Sequence, residues 1–297
     1  VKFLTLEQGQ LGVLIESFVV DAAVAAEKLG VSLPASSVSE LVAAGDDIAA
    51  DVFTLAQKAL AAGAALRPLA EVKPLAPIPE PRRNIFCLGK NYLEHAQEVA
   101  AKMKASAEAP AKPIIFTKAT TAVVGPTDPI PAHTELTQKL DYEAELALIV
   151  GKGGRDISRE QAWEHVFGYT IINDVSARDL QKDHVQWFKA KSLDGFAPMG
   201  PWVVHRSAMP EPKDIRVQCH VNGELRQNDT FDRLIFDVPE ILAVLSAGMT
   251  LLPGDIIATG TPAGVGMGFR PSKYLKSGDE VVVSVTGAGE LRNRVIE

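Results

Sequence analysis

Eleven residues, LDYEAELALIV from Leu140 to Val150, constrain this chain more than any other stretch. Leu146, Leu148 and Val150 alternate about Ile149 as on a β-strand, yet Asp141, Glu143 and Glu145 take alternate positions in the same run. Alternation places the three carboxylates on one face. Charges two residues apart on a strand lie about 6–7 Å from each other and repel by roughly 2.5 kcal/mol at an effective dielectric of about 20. A fold for this sequence must either leave that face in water or bring positive charge to it.

A fourth acid lies within reach of the same place. The apolar run FGYTIIND reads as a strand ending in Asp174, and it leads into SARDLQKDH, where Ser176 and Asp179 have capping-box spacing. If Glu143, Glu145 and Asp174 converge at one sheet edge, three hard oxygen donors suit Mg²⁺ or Mn²⁺, with the other positions left to water and substrate oxygens. The competing assignment leaves Glu143 and Glu145 on a solvated edge and has Asp174 cap a helix.

Three further places carry possible chemistry. His95 and Glu98 stand at i, i+3 on a helix following GKNY, where a carboxylate would orient the imidazole and raise its basicity, as a general base for water requires. Such a pair also arises by chance on surface helices. Lys191, in FKAKSLDGFAPMGPW, sits where a charged run becomes a Gly/Pro-rich loop and is suited to hold a carboxylate or a developing enolate oxygen, although surface lysines are far commoner. TGTPAGVG, Thr259 to Gly266, follows the strand DIIA, and its glycines let backbone amides approach an anion. It lacks the closing Gly-Lys-Ser/Thr of a P-loop, so nucleotide binding is not expected.

Periodicity gives an α+β chain. Residues 1–72 form a small α+β unit with a strand over LGVLIESFVVD and an alanine-rich helix over DDIAADVFTLAQKALAAG. Prolines 74, 77, 79 and 81 force an extended linker over 73–83, and residues 84–297 make the larger domain. Within it NIFCLGKNYLEHAQEVAAKM reads as strand, turn and helix from about Tyr92, a helix runs from Ser158 to His165, and Asn222-Gly223 marks a hairpin in IRVQCHVNGELRQ. The net charge of −7 argues against nucleic acid or an anionic membrane as partner. A small anionic substrate would need local positive charge. Cys87 and Cys219 lie far apart without metal-type spacing, as free buried thiols of a reducing compartment do. The apolar run ILAVLSAGMTLLPGDIIATG is interrupted by Ser246, Gly248, Pro253 and Asp255, and no charged-then-apolar leader opens the sequence, so the expected location is cytoplasmic.

The order of these pieces resembles the fumarylacetoacetate hydrolase superfamily: GKNYLEHAQE, DYEAELALIVGKGGRDI, NDVSARDLQ, AKSLDGFAPMGPW, VNGELRQ and GDIIATGTPAGVG are similar to its motifs over roughly residues 80 to 297. The resemblance implies a mixed β-sandwich roll with Mg²⁺ or Mn²⁺ on Glu143, Glu145 and Asp174. It implies His95 and Glu98 as the general-base pair, Lys191 on the substrate, Arg178 and Gln181 around it, and Thr261 receiving a substrate carboxylate. Asp141 matches no ligand position. The subgroup it most resembles contains acylpyruvate hydrolases and oxaloacetate decarboxylases, and a homodimer is implied. On this reading the metal-chelated 2-oxo acid sheds C4 and leaves a pyruvate enolate. His95 with Glu98 favours hydrolysis of an acylpyruvate such as fumarylpyruvate over decarboxylation of oxaloacetate or isomerisation of 2-oxo-dienoates. A non-catalytic metabolite-binding protein is the alternative of another class.

Overall fold

The computed structural model describes residues 1–103 and 108–297. An eleven-stranded mixed sheet runs through it in the order Leu66–Pro68, Phe18–Asp21, Leu11–Ile15, Lys2–Thr5, Ala197–His205, Val166–Asn173, Ala144–Val150, Ile256–Ala258, Ile85–Gly89 and Ile114–Lys118, with Val123–Val124 added beside Ala197–His205. Every residue of Ala144–Val150 is buried, which is why that strand reads as an almost continuous apolar run after Glu145. A second sheet of five strands, Glu224–Thr230, Arg216–Val221, Glu280–Val285, Gly289–Ile296 and Ile130–Pro131, packs across the first. Its period-two pattern turns Val217, Cys219, Val221, Val281, Val283 and Val285 into the shared core. The α+β assignment therefore holds.

The N-terminal unit is joined to the rest more closely than the proline linker suggests. Its first strand pairs with the central sheet, Lys2 opposite Val204 and Phe3 opposite Val203, and Phe3 and Val13 belong to the same buried cluster as Ile171 and Val203. Residues 73–83 contain no helix or strand, as four prolines require, yet the sheet and the apolar core cross that boundary. Helix Asp46–Ala61 forms over the alanine-rich segment, and Asp21 caps helix Ala22–Leu29 by accepting from the amides of Ala23 and Val24.

Several local expectations change. LGVLIESFVVD is two strands, Leu11–Ile15 and Phe18–Asp21, because Glu16 turns the chain at φ 53°. The helix expected over Ser158–His165 reduces to one 3-10 turn, Ala162–His165. Asp156 and Ile157 instead hydrogen-bond to Ser246, and Arg159 pairs with Asp237 and Glu240, so tertiary bonds hold the segment. The Ser176/Asp179 capping box is absent: Ser176 donates to the Asp174 carbonyl, while Asp179 holds Thr137 and the amide of Gln138. Helix Arg178–Asp183 starts from Ala177 without a side-chain cap. The hairpin at Asn222-Gly223 forms as expected, both residues having positive φ, 51° and 77°. Both cysteines are free and buried. Among the described residues no helix is long and apolar enough to cross a membrane.

Candidate active site

Strand pairing brings the acids together. LDYEAELALIV is divided: Leu140–Asp141 pairs with Ser176–Ala177 as a short ribbon, and the long strand begins at Ala144. Antiparallel register sets Ala144 opposite Asn173 and Glu145 opposite Ile172. Extended one step, it sets Glu143 opposite Asp174, whose amide donates to the Glu143 carbonyl at 2.8 Å. Cross-strand partners share a face, and one carboxylate oxygen from each of Glu143, Glu145 and Asp174 falls within 4.8 Å of the others. The three side chains are at most 7% exposed. The solvated-edge alternative is therefore excluded, and Asp174 caps no helix.

Positive charge comes first from the protein. Lys191 Nζ reaches Glu143 Oε2 at 2.8 Å and Asp174 Oδ2 at 2.6 Å, leaving its third N–H uncommitted, and it lies 4.9 Å from the centre of the Phe116 ring. Lys118 Nζ donates to Asp174 Oδ1 at 2.5 Å and to the Val175 carbonyl. Arg178 donates through Nε to Asp141 Oδ2 at 2.8 Å, and its Nη2 lies 2.7 Å from Glu143 Oε1, in ion-pair range though not aligned as a hydrogen bond. Four carboxylates thus meet three cations, and Glu145 is the one without a cationic partner. Among the described residues it accepts from the amide of Gly260 alone, at 2.7 Å. Burial, and then the charges of Asp174 and Glu143, push the Glu145 carboxyl well above its usual range. Burial alone would raise Glu143 as well, but Lys191 and Arg178 override it and hold that carboxyl below the usual range. One buried carboxylate short of a positive charge, beside two more hard oxygen ligands, is the donor set a divalent cation fits.

His95 and Glu98 lie on helix Leu93–Met103, with His95 Nδ1 3.4 Å from Glu98 Oε2. Both Glu98 oxygens also accept the amide of Gly264, at 3.1 and 3.2 Å. This locks the carboxylate and leaves His95 Nε2 as the free ring nitrogen. The glycine loop is shaped for these contacts. Gly264 has φ 103°, and a Cβ there would meet the Arg226 carbonyl at 1.9 Å; a Cβ at Gly268 would meet Glu98 Oε1 at 1.8 Å.

His95, Glu143, Glu145, Arg178, Gln181, Lys191 and Thr261 all line one cavity of about 40 Å³, with Trp187 and Met267 also in its wall. Asp174 and Glu98 stand immediately behind it as partners of Lys191 and His95. Gln181 Oε1 accepts from Arg178 Nη1 at 3.0 Å. The Thr261 hydroxyl donates to the Ala144 carbonyl and accepts from Gln227 Nε2, so its proton is committed to the acid strand.

Three functional positions escaped the sequence reading. Lys118 and Gln227 carried no local signal. Gln227, 0% exposed, accepts from the amide of Ala144 and donates to Thr261 and Pro262, fastening the acid strand to the glycine loop. Asp141 was visible but unexplained. It accepts from Arg178 Nε, from the amides of Gly266 and Met267 at 2.6 and 3.0 Å, and from its neighbour Tyr142, so it positions Arg178 and the loop rather than a metal.

Known proteins are similar to this chain over most of its length. The family model for the fumarylacetoacetate (FAA) hydrolase C-terminal region matches residues 84–296. Oxaloacetate tautomerase YisK of Bacillus subtilis (strain 168) is 48% identical over 263 residues, 87% of this chain and 86% of that protein. The fumarylacetoacetate hydrolase of psychrophilic Exiguobacterium antarcticum superposes with a TM-score of 0.82 at 44% identity, covering 99% of both chains. Maleylpyruvate hydrolase from Sphingobium sp. SYK-6 does so with 0.76 at 31% identity over 100% of this chain and 99% of that one. With the acid trio and the His–Glu pair gathered in and directly behind one cavity and the likeness running nearly end to end, the chain belongs to the fumarylacetoacetate hydrolase family.

Proposed function

We propose that this protein is a divalent-metal-dependent enzyme, with Mg²⁺ or Mn²⁺ on Glu143, Glu145 and Asp174, that moves a proton at C3 of small 2-oxo acids, with keto–enol tautomerisation of oxaloacetate as its leading activity. The observation that carries this is the shared cavity: His95, held ready by Glu98, opens onto the same space as Glu143, Glu145 and Lys191. A bound divalent cation supplies a Lewis acid for the C1 carboxylate and C2 oxygen of a 2-oxo acid. His95 takes a proton from C3, the electron pair moves into the C2–C3 bond, and the charge gathering on the C2 oxygen faces the uncommitted N–H of Lys191. Return of the proton to that oxygen gives the enol, and the reverse order gives the keto acid. The 48% identity to an oxaloacetate tautomerase over 86% of that protein supports this choice over the hydrolysis that the His–Glu pair alone suggests.

Hydrolysis of acylpyruvates is the second reading. The same His95 nitrogen serves as the base for an attacking water, and the maleylpyruvate hydrolase likeness favours it. The two are separated by following enol-oxaloacetate absorbance and pyruvate release from a panel of acylpyruvates, with and without Mg²⁺ or Mn²⁺. Metal-dependent acceleration of the first, beyond any acylpyruvate turnover, is expected. Faster acylpyruvate cleavage would reverse the order. Turnover of neither would leave a metabolite-binding protein.

A further inference from the structure

Charge alone does not account for Lys118. It ends the strand Ile114–Lys118, is 0% exposed, and commits its ammonium to Asp174 Oδ1 at 2.5 Å and to the Val175 carbonyl at 3.1 Å. Asp174 already has Lys191 on its other oxygen, at 2.6 Å. A second ammonium on the same carboxylate repels any cation arriving at the acid trio, and Lys118 is not in the cavity wall, where a substrate would meet it. What it adds is direction. By joining the Asp174 carboxylate to the carbonyl of the next residue, it fixes the turn of that side chain. The strand end is itself held, because the amide of Ala119 donates to Ser192 Oγ at 2.9 Å, one residue beyond Lys191.

The other two acids are restrained in the same way. Glu145 Oε2 accepts from the Gly260 amide, and Glu143 Oε1 faces Arg178 Nη2 at 2.7 Å. Each member of the trio therefore has one oxygen committed to a donor on a fixed element, while the second oxygens of Glu143 and Asp174 share Lys191. We propose that Lys118 is a positioning residue that keeps Asp174 a one-oxygen ligand and thereby biases the site towards Mg²⁺ or Mn²⁺ and against Ca²⁺. The inference rests on the metal site of the proposed function. Mg²⁺ and Mn²⁺ take about six oxygens in an octahedron, whereas Ca²⁺ gathers about six to eight and accepts both oxygens of one carboxylate. Three carboxylates that give one oxygen each suit the first kind of ion. Freeing Asp174 Oδ1 restores a two-oxygen ligand and favours the second.

Calorimetric titration of the wild type and of Lys118→Met with MgCl₂ and with CaCl₂ tests this. Both ions carry the same charge, so the electrostatic gain from losing the ammonium cancels in the ratio of their affinities, and only a change in how Asp174 is presented moves that ratio. In Lys118→Met it should move about tenfold towards Ca²⁺. A ratio that stays at the wild-type value, or moves towards Mg²⁺, would overturn the proposal. Water-proton relaxation of the Mn²⁺-loaded wild type gives a second reading that needs no variant to fold. Three one-oxygen carboxylates leave about three waters on a six-coordinate ion, and a count of about two or fewer would overturn the proposal as well. Failure of the wild type to bind any of the three ions would remove the proposed metal dependence and this inference with it. A shifted ratio in a protein that turns over neither oxaloacetate nor an acylpyruvate would remove the proposed activity and leave the role of Lys118 standing.

Discussion

Asp141→Asn is the sharpest perturbation of this site, because all of the carboxylate's partners are donors. Oδ1 accepts from the amides of Tyr142 and Gly266, and Oδ2 from Arg178 Nε and the amide of Met267. Whichever way an asparagine is turned, its NH₂ meets two N–H groups. The substitution also removes the charge opposite a guanidinium that is 5% exposed, leaving Glu143 as its ionic partner and Gln181 as a neutral one. Breaking one side of a buried ion pair costs about 3–5 kcal/mol, and orphaned amides about 1–3 kcal/mol each. These overlap and Glu143 compensates in part, so about 4 kcal/mol is expected. At about 2–4 °C per kcal/mol for a chain of this order of size, the melting temperature should fall by roughly 10 °C in scanning calorimetry with chelator present, so that no metal contributes. Asp183→Asn, on the exposed face of the same short helix, should shift it by less than about 2 °C. If Asp141→Asn melts as the wild type does, the buried carboxylate is not what holds Arg178 and the 266–267 loop, and the account of its role fails.

Other substitutions probe the remaining contacts. Glu145→Gln keeps the bond from Gly260 and removes an uncompensated buried charge, so the metal-free melting temperature should stay level or rise while the stabilisation given by saturating Mg²⁺ disappears; a metal-free fall would mean that Glu145 is paired after all. Gly268→Ala should push Glu98 off the Gly264 amide and lower turnover by roughly 10²-fold, as Glu98→Gln does, with the melting temperature little changed; wild-type turnover would show that the Glu98 clamp is idle. His95→Ala should reduce oxaloacetate tautomerisation by roughly 10²–10⁴-fold, and a loss confined to acylpyruvate cleavage would assign His95 to water activation instead. The Ile114–Lys118 strand ends the large sheet with Ile115 41% exposed, so sedimentation at micromolar concentration should find a dimer, and monomer alone would count against it.

The features legible in the sequence are those carried by one element at a fixed spacing. Glu143 and Glu145 stand two apart along a strand, His95 and Glu98 three apart on a helix, and Asn222-Gly223 fills a turn. In each case local geometry alone places the side chains. What could not be read depends on register between distant strands. Lys118 reaches Asp174 across 56 positions, Gln227 reaches Ala144 across 83, and Gly264 meets Glu98 across 166. The Ser158 helix failed for the same reason, since bonds to Ser246 outweigh local propensity there, whereas the Ser176 cap gave way to a bond two residues back, to the Asp174 carbonyl. The charge problem posed by the eleven-residue stretch shows the division clearly. Its spacing demands positive charge but cannot say how much of it the protein provides. The fold provides three cations, directs two of them at Asp174 and two at Glu143, and leaves Glu145 beside them with none. The deficit is therefore local to the one ligand that only an added cation can satisfy, and a site neutralised evenly by lysine and arginine would have had no such place for it.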